Sequence, residues 1–324
     1  MRSAGATSAR GLLALGLSVA ALGLAACGDE DQTGTAFSSP TGPGDSGTLA
    51  WALGDRPREL DPLLATTRSD QLVTRQIHEP LVESLAGPYG DVRSVPGLAL
   101  SESASAQDTI WSFRVRPGVR FQDGTPLNAG AVLANGRRWL TTPEGQLAMP
   151  NLFAVDAPRP DLVRFFLRTP DPDFPAKLSV PQTGIVSPRA FDVASGDGAT
   201  LVRESRSGTG PFELRERSRD EVLIARNLTW WGTGRDLGPA LDQVQFRTVA
   251  DPGERLALLV AADLQAADGL GPEQARESRR HPLVEALPTG EGEWLGLERS
   301  VRGITNGREI PSLSGVWLTS IGTR

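Results

Sequence analysis

Few residues in this chain have types and spacings that could do chemistry. The run Asp55-Arg56-Pro57-Arg58-Glu59 places two guanidinium groups between two carboxylates. Guanidinium forks pair with carboxylates in bidentate fashion, so Arg56 and Arg58, with Asp55 beside them, could hold an acidic group. A solvated charged loop is the other reading. Trp230 and Trp231 could offer an apolar platform to a ligand, or pack between strands. His78, next to Glu79, and His281, before Pro282, are the only histidines. A metal site needs several ligands at fixed spacing, and two distant histidines supply none, so both read as packed or surface residues and no metal is expected. Gly-x-Ser-x-Gly, His-Glu-x-x-His and a phosphate loop are absent, and the single lysine sits in Pro175-Ala176-Lys177-Leu178. The acid pairs Asp171/Asp173 and Asp263/Asp268 carry no catalytic pattern along the chain. The expectation is therefore no enzyme and no cofactor. A hydrolase would need a Ser/His/Asp cluster around His78 or His281.

The only cysteine, Cys27, has a particular setting. Arg2 and Arg10 precede an apolar stretch, Gly11–Ala26, that ends in Leu24-Ala25-Ala26-Cys27. A stretch of sixteen residues falls short of the ~20 apolar residues that span a bilayer as a helix, so residues 1–26 read as a cleaved signal peptide. Leu-Ala-Ala-Cys has the form of a bacterial lipobox, in which Cys27 carries a lipid and each buried CH₂ contributes ~0.8 kcal/mol of membrane affinity. With Cys27 used in this way, disulfides and cysteine metal sites are excluded. Residues 27–46, rich in Gly, Ser, Thr, Pro and Asp, read as a flexible tether.

The remainder can bury a core: the 324-residue chain is 39% hydrophobic and 22% charged. Beyond the signal peptide 31 basic residues face 39 acidic ones, a net −8, which argues against nucleic acid as a partner. Alternation and turn residues predict strands at Thr48–Leu53, Trp111–Arg116, Val119–Phe121, Leu162–Arg168, Val222–Ala225 and Val244–Val249. Helical spacing predicts a helix from about Asp70 to Leu85, with Pro80 as a kink or break, and another from an Asn128 cap to about Leu140. Shorter helices are expected at Phe174–Val180 and from Asp251-Pro252 to about Ala262. Pro181–Pro188 reads as a loop and Trp294–Arg324 as short strands and turns. The mixed order implies an α/β, mixed α+β fold.

One run is more specific. Phe113–Pro126 reads FRVRPGVRFQDGTP and closely resembles a stretch of the family 5 extracellular solute-binding proteins, the peptide- and nickel-type receptors of ABC importers. Six further islands resemble the family in its own order: Leu60-Asp61-Pro62, Gln76–Val82, Val95–Ala99, Gly208-Thr209-Gly210-Pro211-Phe212, Arg226-Asn227 with Trp230-Trp231-Gly232, and Leu241–Val249. Two departures stand out: Gly130 and Ala131 replace an acidic pair at a helix start, and Ala262–Ala267 lacks a Gly-containing pattern.

The resemblance implies a type II periplasmic-binding-protein-like fold, mainly its first lobe. Residues 47–297 would form lobe I, and 298–324 a return segment completing it. The second-lobe segment expected after Trp294-Leu295-Gly296-Leu297 is absent, through a real short form or a truncated gene. The resemblance also places the 55–59 loop at the ligand cleft. The implied function is non-covalent capture of a peptide or similar small solute at the extracytoplasmic face of the membrane and its presentation to ABC permease subunits. The alternative is a one-lobed lipoprotein that binds a protein partner and no longer captures solute.

Overall fold

The computed structural model describes residues 47–86, 92–191, 202, 206–233, 241–288 and 294–298. The expected signal peptide (1–26) and tether (27–46), and all of the expected return segment beyond Glu298, lie outside these residues. In chain order the elements begin with β1 (Thr48–Leu53), α1 (Arg68–Ile77), β2 (Val82–Ala86), β3 (Val92–Pro96), β4 (Ala99–Ala104) and β5 (Ile110–Val115). There follow α2 (Ala129–Thr141), α3 (Pro143–Ala148), β6 (Leu152–Arg159), β7 (Leu162–Leu167), α4 (Phe174–Lys177) and α5 (Pro188–Phe191). The last are β8 (Phe212–Arg217), β9 (Glu221–Arg226), β10 (Gln243–Thr248), α6 (Pro252–Val260), β11 (Ala266–Leu270), α7 (Pro272–Ser278), β12 (Val284–Pro288) and β13 (Trp294–Glu298).

β1 is the central strand of a seven-stranded sheet ordered β12-β13-β11-β1-β10-β9-β8. It runs parallel to both β10 and β11, while the outer pairs are antiparallel. Its sequence explains its place. Leu49, Trp51 and Leu53 join a core with Leu72, Val73 and Ile77 of α1 and Phe246 of β10. The alternate residues Ala50 and Ala52 face Leu256 and Leu259 of α6. A strand covered on both faces needs apolar residues throughout, and alanines on one face let a helix pack closely.

The FRVRPGV run builds the second layer. β5 lies inside a four-stranded antiparallel sheet ordered β4-β5-β7-β6. Phe113 and Val115 point inward with Val163, Phe165 and Leu167, beneath Val132 and Trp139 of α2. Phe113 meets Phe165 edge-to-face at 5.6 Å and 81°; such pairs contribute ~1 kcal/mol beyond their burial. Asn128 caps α2 by accepting from the Ala131 amide at 2.9 Å. Gly118 and Gly124 both take positive φ, +79° and +86°, which is why the reversals after β5 carry glycine.

The two layers meet where Gly208–Pro211 crosses the C-terminal end of α1. A Cβ on Gly208 would lie 1.8 Å from the Ile77 carbonyl oxygen, and one on Gly210 2.5 Å from that of Gln76. The Gly210 amide donates to the Ile77 carbonyl at 2.8 Å. From the other layer the Gln122 amide donates to the Gly208 carbonyl at 2.8 Å, and its side-chain nitrogen to the Phe212 carbonyl at 2.7 Å.

Several expectations are corrected. The helix predicted to Leu85 ends at Ile77, because His78 is extended and Pro80 cannot continue it. Leu81 then enters the other core, and Leu85 belongs to β2. Val119–Phe121 is not a strand but a single bridge, Arg120 to Pro126. The helix predicted to Val180 stops at Lys177, and the loop before Pro188 contains a 3-10 turn, Pro181–Thr183.

Two substitutions test this account by thermal or chemical denaturation. Gly208→Ala forces a backbone clash and is expected to destabilise by about 3 kcal/mol. Ala262, just beyond α6, has φ +62°; Ala262→Gly relieves that strain and is expected to stabilise by about 1 kcal/mol. Equal stability for all three proteins would refute both assignments.

Candidate functional site

The parallel pairing of β1 with β10 and β11 brings three carboxyl ends to one sheet edge. The chain leaves β1 toward α1 on one face and leaves β10 toward α6 on the other. Crevices at such switch points are where open α/β sheets bind ligands. The edge consists of the 54–59 loop, the N-terminus of α1, and the turns after β10 and β11.

Buried groups hold this edge. Asp70, in the first turn of α1, accepts from the amides of Arg58 at 2.6 Å, Glu59 at 3.0 Å and Thr67 at 3.3 Å. Arg217 of β8 donates to the carbonyls of Pro57 at 3.1 Å and Arg58 at 2.6 Å. Buried Arg255 of α6 donates to the carbonyls of Val249, Ala250 and Gly269 at 2.5, 3.0 and 2.6 Å. A Cβ on Gly54 would approach the same guanidinium to 3.4 Å. Arg68 pairs with buried Asp268 at 3.0 Å. On this frame Asp55, Arg56 and Arg58 are exposed, and Asp55 accepts from the Ser69 hydroxyl at 2.7 Å.

Trp230 and Trp231 lie elsewhere. Glu79, two residues past the last residue of α1, accepts from the Trp230 indole at 3.1 Å and from the Trp231 indole at 3.0 and 2.9 Å. The Arg116 guanidinium covers the Trp231 ring at 4.2 Å and donates to the Gly97 carbonyl. The helix of ten residues, about 15 Å long, separates this cluster from the 54–59 loop. The fold therefore brings Asp55, Arg56 and Arg58 together, and the two tryptophans together, but does not bring the two groups to one place.

Burial pushes the Glu79 carboxyl up to about 7, against the opposing effect of the Trp231, Thr209 and Trp230 donors and of Arg116. Sequence reasoning missed this cluster. The one local signal was an acid between a histidine and a proline, with Ile77 and Leu81 just beyond them; its partners lie 151 and 152 positions away.

His78 has the neighbours that a hydrolase would require. Its Nε2 lies 3.0 Å from the Ser207 hydroxyl, and the Asp61 charge acts on it. The three residues are, however, committed to other partners or closed off from solvent. Asp61 is paired with Arg138 and also accepts from the Leu63 amide. His78, Ser207 and Asp61 are all buried, and burial pulls His78 down to about 4, far below a useful general base. His281 lies apart, 3.8 Å from Glu277.

The model of bacterial extracellular solute-binding proteins, family 5, middle, matches residues 93–301. The chain belongs to this family. The glutathione-binding protein GsiB of Escherichia coli (strain K12) is 29% identical over 241 residues, which cover 73% of this chain and 45% of that protein. The periplasmic binding protein AgaA of A. tumefaciens R10, in complex with agropinic acid, superposes with a TM-score of 0.65 at 25% identity, over 74% of this chain and 47% of that one. DppA from Helicobacter pylori, in complex with peptide STSA, shares the fold at 21% identity, with a TM-score of 0.64 over 75% and 50%. The family 5 chain thus spans about half the length of these relatives, and its α/β fold is that of the periplasmic binding proteins. Among the described residues no helix is long and apolar enough to cross a membrane.

The buried acid and the buried histidine titrate in opposite senses. Glu79 holds its proton to about pH 7 against 4.5 for a free glutamate, so its share of stability is full below pH 4.5 and is lost as pH rises through 7. His78 releases its proton near 4 against 6.5, so its share is present above pH 6.5 and is lost as pH falls through 4. The two slopes nearly cancel between pH 4.5 and 6.5. In Glu79→Gln only the histidine slope remains, so unfolding free energy is expected to rise by roughly 2 kcal/mol across that window relative to the parent. Denaturant melts at three pH values measure this, and parallel curves would contradict it.

Proposed function

We propose that this chain is a lipid-anchored extracytoplasmic receptor that captures a peptide or similar small solute without bond chemistry and hands it to an ABC permease. The observation that carries the reading is the shared edge of β1, β10 and β11, where a braced loop exposes Asp55, Arg56 and Arg58 at the carboxyl ends of parallel strands. Two guanidinium groups there suit a carboxylate, and the relatives that bind glutathione and agropinic acid both take carboxylate-bearing ligands. Trp230 and Trp231 serve by bracing the fold around Glu79. Cys27, following Leu24-Ala25-Ala26, is the proposed lipid attachment point. Residues 27–46 are the proposed tether and residues 47–297 the proposed lobe.

A thermal-shift screen against glutathione, di- to pentapeptides, nickel chelates and oligosaccharides tests the reading. A ligand at a hundred times its Kd stabilises the native state by about 2.7 kcal/mol. The expected result is a raised midpoint with one carboxylate-bearing class, and at least tenfold weaker binding in the Arg56→Ala, Arg58→Ala double variant. No shift with any compound at millimolar concentration, for a protein that unfolds cooperatively, would overturn the receptor reading in favour of a lipoprotein that holds a protein partner.

A further inference from the structure

A groove of about 560 Å³ lies between α6 and α7, on the sheet face served by Ala50 and Ala52. Its two walls differ. Leu256, Ala257 and Val260 make the α6 wall apolar, while Glu273, Glu277 and His281 line the α7 side. Val260 is 38% exposed, although it lies on the apolar face. The volume is that of a site that takes a ligand or several side chains. An occupant that fits both walls has large apolar groups and positive charge.

The chain delivers such a segment next to the groove. Glu298, the last residue of β13, pairs with Val284 of β12, and the Val284 amide donates to the carbonyl of His281 on the groove's rim at 3.0 Å. Adjacent strands lie about 5 Å apart and three extended residues reach about 10 Å, so about five residues beyond Glu298 suffice to reach the groove. Residues 299–324 lie outside the described residues, but their composition is plain. They hold Arg299, Arg302, Arg308 and Arg324 against the single acid Glu309, and include the apolar run Val316-Trp317-Leu318. Glu277 already pairs with Arg280 at 2.5 Å, but Arg280 is exposed and Glu277 only partly buried, and solvent-facing pairs of this kind exchange readily for little energy.

We propose that the groove between α6 and α7 is the docking site of the chain's own residues 299–324. The 316–318 run meets the apolar wall and the arginines meet the Glu273 and Glu277 side. Docking covers the one face of α6 that its sheet leaves open. The proposal concerns the outer helical face and stands independently of the solute edge.

Thiol labelling of the full chain tests it. In a Cys27→Ser background, Val260→Cys reports on the groove, and Leu147→Cys, on α3 and 84% exposed, serves as a free control. The expected result is that Val260→Cys labels with a maleimide at least tenfold more slowly than the control. Adding Trp317→Asp with Leu318→Asp should restore fast labelling, as should adding Glu273→Lys with Glu277→Lys. Labelling within twofold or threefold of the control would overturn the proposal. So would slow labelling that neither pair of substitutions changes. Protection that rises with protein concentration would place a second copy in the groove and would equally overturn it.

Discussion

The close crossing of Gly208–Gly210 over the C-terminal end of α1 is the contact on which the other parts rest. A helix end leaves carbonyls without partners, and here the Gly210 amide meets that of Ile77. Only glycine lets another segment pass so near. The same segment reaches Gln122 in the turns beyond β5 and continues into β8. One crossing therefore joins the core around Trp51 to the core around Phe113. α1 spans the distance between this crossing and the loop at the ends of the strands, where Asp70 holds the Arg58 and Glu59 amides.

The interior carries more charge than a simple apolar core would. Asp61 faces Arg138, Arg75 faces Glu83 at 2.7 Å, and Arg255 gathers three carbonyls. Such groups cost solvation, and removing one partner strands the other at a cost of about 3–5 kcal/mol. Their placement suits what they do. Arg255 and Asp70 satisfy the backbone of turns that would otherwise be held only by water, and this keeps the edge of the sheet in one shape. Glu79 does the same for the Trp230-Trp231 turn through its indole donors.

The proposed function rests on that edge more than on any reactive side chain. The parallel strands direct three turns to one side, and the exposed Asp55, Arg56 and Arg58 stand there on a frame of buried hydrogen bonds. The histidine and serine that meet inside the fold do so at a helix end, away from solvent and beside a carboxylate already neutralised by Arg138. Proximity of catalytic residue types is thus explained by packing. For the proposed capture of a solute, preorganisation of the loop lowers the ordering cost of binding.

Much of the frame was legible along the chain, because its signals are local. The alternation of β1 and β5, the Asn128 cap of α2, the Asp251-Pro252 start of α6 and the glycines at 118 and 124 depend on neighbours a few residues away. So did the family islands, which trace the turns and crossings of the fold. The end of α1 was less legible: leucines at helical spacing continue to Leu85, and only the extended His78 and the second core that receives Leu81 interrupt them. The fates of Glu79, Asp61 and Arg255 could not be read at all, and the sequence left Trp230 between a ligand platform and packing, since each is settled by partners or by burial that arise only when distant segments meet. The sequence by itself determined the principal strands β1, β5, β7, β9 and β10, the starts of α1, α2 and α6, and the family to which the chain belongs. Tertiary structure alone decided which charges are buried, which arginines face solvent, and that the tryptophans and the charged loop stand a helix length apart. Burial and charge pairing are properties of the packed chain and have no local pattern.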